Sequence, residues 1–329
     1  MYQLNGIDLL SFKEEMSALA EAQQAFFFLI DFEQKNPIVC PVAEAESSGF
    51  QFEVKGYGNF NAKSLQQTPL PLSIVPVPKT IYSRAYHKVV EEIYQGNTFL
   101  LNLTFPSAIK TTLDLEEVFH CAKAPYKLYR KDDFVVYSPE CFIKIKDGHI
   151  YSYPMKGTID ASLPEAQKIL ATNPKEINEH NTIVDLIRND LSKVAKEVQV
   201  TRFRYIDKIK TQKNEIYHTS SEIRGKLPTD WRKQLPELLL NMLPAGSICG
   251  APKEKTVAII QEVEQEERGY YTGIFGYFDG ENLDSAVNIR YLEKSDGQLR
   301  YRSGGGITFL SDLESEYNEL IKKIYVPVV

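Results

Sequence analysis

Two pairs of glutamates and one lysine carry the chemistry that this sequence could do. Glu176 and Glu179 stand three residues apart, as do Glu316 and Glu319, so each pair shares a face wherever its segment is helical. Four carboxylates on two helices form a possible site for a hard divalent cation. Magnesium favours one or two protein carboxylates and takes its other oxygens from water and substrate. The lysine is Lys156, in Tyr151-Ser152-Tyr153-Pro154-Met155-Lys156-Gly157-Thr158, where a strand stops at a proline and hands one amine to a Gly-Thr corner. An amine that has shed its proton is a nucleophile, and desolvation or a neighbouring cation promotes that loss.

The elements that must position these groups are legible in outline. Cys141–Lys146 and His149–Pro154 flank Asp147-Gly148, the strongest short hairpin signal. A two-residue turn there sets Glu140 opposite Met155, one step from Lys156. In strict register the acid and the amine face opposite ways, so a bulge or the Gly157 corner must bring them together. The competing reading is a surface lysine beside a surface glutamate.

Asn173-Pro174 opens a helix as cap and first-turn proline, and its apolar positions 177, 180, 184, 187, 191 and 194 step by three and four. Glu176 falls within that stripe and Glu179 at its edge, where a carboxylate needs an answering cation or donor. Glu176 also fits the acid of a capping box. A closing helix from about Asp312 to Tyr325 buries Leu313, Tyr317, Leu320, Ile321 and Ile324, with Glu316, Glu319 and Lys323 beside them as a polar stripe. A solvated face with a Glu319–Lys323 pair is the alternative there.

Between these helices, Asn241–Lys253 reads as a turn that opens a helix at Pro252, a place suited to a carboxylate. Three strands then form a meander, Gly269–Phe278, Ser285–Leu292 and Leu299–Ser303, turning at Asp279-Gly280 and Asp296-Gly297. The last runs into Gly304-Gly305-Gly306, whose missing side chains let backbone amides approach a ligand. Earlier, residues 1 to about 68 read as short strands and loops around a buried strand, Phe26–Phe32. Pro69–Pro78 reads as an extended connector, Thr80–Gly96 as a helix, Thr98–Phe105 as a strand and Leu113–Ala122 as a helix. Hairpins interleaved with helices imply an α+β fold of mostly antiparallel sheets, with helices packed outside.

Composition narrows the partners. The 329 residues are 43% hydrophobic with a formal net charge of -6 and a pI near 5.6, and carry no block of five or six like charges, so neither nucleic acid nor an anionic membrane is expected. The longest apolar run, Ala25–Ile30, is too short to span a bilayer, and a cytoplasmic protein is expected. Cys40, Cys121, Cys141 and Cys249 show neither a disulfide framework nor zinc spacing.

Together these segments resemble the chorismate-utilising enzymes, which include component I of anthranilate synthase and of aminodeoxychorismate synthase as well as isochorismate and salicylate synthases. The resemblance covers about residues 80 to 325. It rests on Ser138-Pro139-Glu140, Pro154–Thr158, Glu179-His180 through Val184-Asp185-Leu186 to Arg188-Asn189-Asp190, His218, and Gly246-Ser247 through Gly250-Ala251-Pro252-Lys253. Gly276-Tyr277-Phe278, Ile289-Arg290, Gly304–Gly306 and Glu316 to Glu319 complete it, in the family's order.

That resemblance implies two facing sheets with a chorismate pocket between them, in one domain over 1–329, with a short N-terminal part (1–78) and a catalytic core (79–329). It implies Glu179 and Glu319 as magnesium ligands supported by Glu176 and Glu316. Tyr271, Arg290, Lys323 and the amides of Gly304 to Gly306 are implied to bind the substrate's carboxylates, with Ser247, Gly157 and Thr158 lining the same pocket. His218 is implied beside the reacting ring, and Glu140 as the acid that protonates the departing 4-hydroxyl.

Two positions bear on which member it resembles most. Members that add water carry a lysine base where this chain has Leu100, and many members that act at C2 carry alanine where this chain has Lys156. The aminodeoxychorismate synthases carry lysine there, implying attack at C2 and then entry of ammonia at C4. Cys249 lacks the elbow spacing of a glutaminase nucleophile, so the resemblance implies a separate glutamine amidotransferase that supplies ammonia. The short N-terminal part, Ser192-Lys193 and Met155 depart from the commoner family pattern.

Overall fold

Five apolar residues in a row, Phe26–Ile30, form a strand buried on both faces. Phe27 and Leu29 point into a core with Phe50, Phe52, Leu128 and Phe134, while Phe26, Phe28 and Ile30 point into a second core shared with helices. The first core is the space between two facing sheets. Residues 5–61, 72–210 and 215–327 are described by this computed structural model, so the start of the proline-rich connector, Pro69 to Pro71, lies outside the described residues.

One nine-stranded sheet runs in the order Met155–Asp160, Glu215–Lys226, His149–Ser152, Cys141–Lys146, Leu283–Val287, Ile274–Phe278, Phe26–Ile30 and Ile38–Pro41, with Lys196–Lys210 added beside Glu215–Lys226. The other runs Gly250–Ala251, Leu100–Lys110, Gln298–Ile307, Tyr291–Ser295, Phe134–Ser138, Tyr126–Arg130, Phe50–Val54 and Tyr57–Gly58, with Ser73–Val75 against Leu100–Lys110. Each described pairing is antiparallel, among them Phe28 with Gly276 and Phe52 with Leu128. The N-terminal strands are thus woven into both sheets. Helices cover the outer faces: Pro174–Ser192 lies over Met155–Asp160 and its partners, and Leu313–Lys322 lies over Gln298–Ile307.

Several helices begin where the sequence places them. Asn173 caps Pro174–Ser192 by accepting from the Glu176 amide at 3.3 Å. Asp312 caps Leu313–Lys322 through the Ser315 amide at 3.0 Å. An N-terminal helix, Leu9–Glu21, replaces part of the expected strands and loops; Asp8 caps it, and Phe12, Met16, Leu19 and Ala20 are its buried face. The strand at Leu100 continues to Lys110, past the expected end at Phe105.

Two corrections matter for the site. The expected meander is two hairpins in different sheets: Ile274–Phe278 pairs with Leu283–Val287, and Tyr291–Ser295 with Gln298–Ile307. The chain crosses between them at Asn288–Arg290, where Arg290 takes a left-handed φ of 56°. The second correction concerns Glu140 and Met155. The turn register holds, with Ile150 opposite Ile145 and Tyr151 opposite Lys144. Beyond Tyr151 the strand leaves that partner and continues along Glu215–Lys226, where Met155 pairs with Ser220 and Lys156 with Thr219. The hairpin therefore opens as a fork, with Glu140 on one prong and Lys156 on the other.

Candidate active site

The open end of this fork leads into a cavity of about 520 Å³ between the two sheets. Its lining includes Glu140, Lys156, Gly157, Thr158, Glu176, Glu179, Ser247, Tyr271, Arg290, Gly304, Gly306, Glu316, Glu319 and Lys323. The residues expected from sequence therefore meet in one place. His218 and Gly305 are the exceptions. His218 is buried cross-strand from Thr158, and Gly305 lies between two lining glycines. A smaller space of about 100 Å³ fills the fork itself and shares Glu140, Lys156 and Ser247 with the main cavity.

The break that turns Lys156 toward the cavity is local. The register with Glu215–Lys226 shifts between Lys156 and Thr158, and Gly157 takes a φ of 77°. A β-carbon on Gly157 would stand 2.7 Å from Glu176 Oε2, so a bare backbone is what lets this acid reach the strand. The Thr219 hydroxyl donates to the Lys156 carbonyl and anchors the bulge.

Glu140 accepts from the Ser247 hydroxyl at 2.5 Å. Burial pushes its carboxyl above the ordinary range, while the Ser247 bond and the charges of Lys156, Arg290 and Lys323 pull the other way. A carboxyl held protonated more readily than usual suits a proton donor. Burial likewise lowers the pKa of His218, with Asp207 opposing, so the neutral ring is favoured; its Nδ1 has no hydrogen-bond partner. His180, on the inner face of the acid-bearing helix, is pushed down to about 4 by burial, then by Arg204 and Lys156, and meets the Ser221 hydroxyl at 2.7 Å.

The acids come from two helices on opposite sides of the cavity. Glu316 is buried and accepts from Ser311 at 2.7 Å, whereas Glu319 is exposed and pairs with Lys323 at 2.7 Å. The solvated-face alternative therefore fails for Glu316. A β-carbon on Gly305 would stand 3.2 Å from Glu316 Oε2 and 3.6 Å from Glu319 Oε1, so these carboxylates approach the glycine run. Among the described residues no three His, Cys, Asp or Glu side chains gather as a ready-made metal cage. An all-oxygen set facing one cavity from two helices fits a cation held by one or two carboxylates, with water and ligand completing its shell.

A cationic wall adjoins these acids, with Lys323 at the end of the helix that carries Glu316 and Glu319. Lys323 donates to the Gly304 carbonyl at 2.9 Å, and the Arg290 guanidinium lies 5.0 Å from the centre of the Tyr325 ring. Tyr271 is buried, with its phenol pushed up to about 12 by burial, so it stays a neutral donor. Sequence reasoning missed Asn102, Arg302 and Ser303, which also line the cavity. Arg302 is tied to Glu293 at 2.6 Å and Glu266 at 3.1 Å; its place beside Ser303-Gly304 was the available signal. Leu100 lines the same cavity with an apolar side chain.

Comparison with known proteins agrees with this geometry. The profile of the chorismate binding enzyme family matches residues 15–328. The chain is 55% identical to an uncharacterised PabA-like protein of Pasteurella multocida, over 98% of this chain and all of that one. It is 32% identical to aminodeoxychorismate synthase component 1 of Salmonella typhimurium, over 74% of this chain and 56% of that one. The solved anthranilate synthase component I of Streptococcus pneumoniae superposes with a TM-score of 0.65 at 26% identity, covering 80% of this chain and 60% of that one. No described helix is long and apolar enough to cross a membrane.

Proposed function

The chain belongs to the chorismate binding enzyme family, and on that premise we propose that it aminates chorismate at C4, as an aminodeoxychorismate synthase component I. The observation that carries this reading is Lys156 at the cavity wall on one prong of the fork, with Glu140 on the other and apolar Leu100 at the hydrating position. The Lys156 amine, deprotonated, forms a bond to C2 as the C4–O bond breaks. Glu140 gives its proton to the departing oxygen, which leaves as water. Ammonia then bonds to C4 as the C2–N bond breaks and releases the lysine as the neutral amine it began as, and Glu140 takes back a proton from the new ammonium.

Arg290, Tyr271, Lys323 and the backbone of Gly304 to Gly306 face the substrate's carboxylates and orient the ring between acid and amine. Ser247, besides lining the pocket, holds the Glu140 carboxyl in place. Glu179 and Glu319 would hold magnesium, with Glu176 and Glu316 supporting them; bound there, the ion would neutralise a substrate carboxylate. A separate glutamine amidotransferase supplies ammonia in this scheme, giving a step toward 4-aminobenzoate and folate.

Incubating the pure protein with chorismate, magnesium and ammonium, then adding a lyase that releases pyruvate, tests the reading. The expected product is 4-aminobenzoate; anthranilate alone would refute it. The likeness to an anthranilate synthase favours that second reading, amination at C2 with pyruvate loss. Lys156→Ala separates the two, since only C4 amination depends on the amine.

A further inference from the structure

We propose that the buried Glu264–Arg268 ion pair is a positioning device for the cationic wall of the cavity, setting affinity for chorismate without touching it. Both side chains are almost wholly withdrawn from water, Arg268 at 2% exposure and Glu264 at 8%. Arg268 grips the carboxylate with two donors, Nε to Oε2 at 2.8 Å and Nη2 to Oε1 at 2.6 Å. Two of its other hydrogen bonds end on the cavity's own elements. Nη2 also donates to the Asn102 carbonyl at 2.6 Å, and Nη1 to the Ile248 carbonyl at 3.2 Å. Asn102 and Ile248 both line the cavity.

Glu264 reaches the same wall by another route. Its Oε1 accepts from the Thr104 amide at 2.9 Å and from the Thr104 hydroxyl at 3.0 Å, which fixes the rotamer of that side chain. Thr104 stands in register with Gly304, and its methyl carbon lies 2.5 Å from where a β-carbon on Gly304 would be. The Gly304 carbonyl in turn holds Lys323. One buried pair therefore sets the depth of Gly304, the aim of Lys323 and the positions of Asn102 and Ile248.

Stability alone does not account for such a pair, because well-packed apolar residues in its place commonly leave a fold as stable or more so. Its partners explain it better: the Asn102 and Ile248 carbonyls belong to the cavity wall and Thr104 backs it. Thr272 at 3.4 Å and the Phe32 ring, 4.7 Å from the guanidinium, are the contacts that do not. Buried polar networks that are fully satisfied impose one arrangement on the elements they join.

The proposal rests on the reading of this cavity as the chorismate site, so the test has one readout that needs no substrate. The double variant Glu264→Leu/Arg268→Met strands no charge, and Thr104→Val keeps the shape of residue 104 without its hydroxyl. For both folded variants, amide hydrogen exchange over residues 303–306 is expected to quicken in the ligand-free protein. The KM for chorismate is expected to rise about tenfold in the double variant and less in Thr104→Val, with kcat nearly unchanged. Wild-type exchange over residues 303–306 in a folded variant would overturn the proposal. Wild-type KM alongside quickened exchange would instead count against chorismate as the ligand of this wall. Should the double variant not fold, Thr104→Val decides by the same two readouts.

Discussion

At the scale of single residues, the account depends on a carboxyl and an amine that face each other across an opened hairpin. In the proposed reaction Glu140 must hold a proton to release the 4-hydroxyl as water, and burial raises its pKa to favour that state. As pH rises through that pKa the proton is lost and kcat falls, giving an alkaline limb set by Glu140. Glu140→Gln is expected to lower kcat by on the order of 100-fold or more and to flatten this limb in the pH–rate profile. The same raised pKa bears on folding. The folded state holds the proton more tightly than the unfolded chain, so stability declines as pH rises from the ordinary carboxylate range through the folded pKa. Denaturation midpoints measured against pH should show a shallower decline in Glu140→Gln. Lys156, Glu140 and the four glutamates were legible because each sits in a short motif of fixed spacing. Arg302 and Ser303 carried only their place beside the glycine run as a signal, and Asn102 carried none, since only the pairing of Leu100–Lys110 with Gln298–Ile307 puts it on the same wall.

At the scale of elements, a bulge and a fork do the positioning. Gly157 takes a left-handed conformation with a carboxylate at its back. Gly157→Ala is expected to destabilise the fold by about 1–3 kcal/mol in chemical denaturation. It should also raise the magnesium concentration needed for half-maximal turnover, because the added carbon displaces Glu176. An unchanged magnesium dependence would detach Glu176 from the metal. The hairpin's turn and register were readable from Asp147-Gly148, and the helix starts from Asn173-Pro174 and Asp312. The fork was not, because nothing local says that Tyr153–Lys156 prefers the strand Glu215–Lys226 to its own hairpin partner. Likewise the run Ser285–Leu292 reads as one strand, yet its two halves belong to different sheets. Alternation of apolar residues reports that both are buried and not where.

Over the whole molecule, two sheets meet face to face and leave a cavity of about 520 Å³ where acids from two helices stand beside a cationic wall. The fold class was legible as α+β, and the N-terminal part proved to belong to both sheets through Phe26–Ile30 and Phe50–Val54. Chelation is expected to abolish turnover and added magnesium to restore it, with little change in thermal midpoint, since the sheets do not need the ion to pair. Turnover with ammonium but not with glutamine, until a glutamine amidotransferase is added, is the outcome expected of the isolated chain.

The most direct measurement is peptide mass spectrometry of protein quenched with chorismate and magnesium but no ammonium. Covalent attack by the amine predicts a peptide containing Lys156 heavier by chorismate less one water, absent in Lys156→Ala. An unmodified Lys156 peptide, with Lys156→Ala still forming the aminated product once ammonium is supplied, would contradict the account.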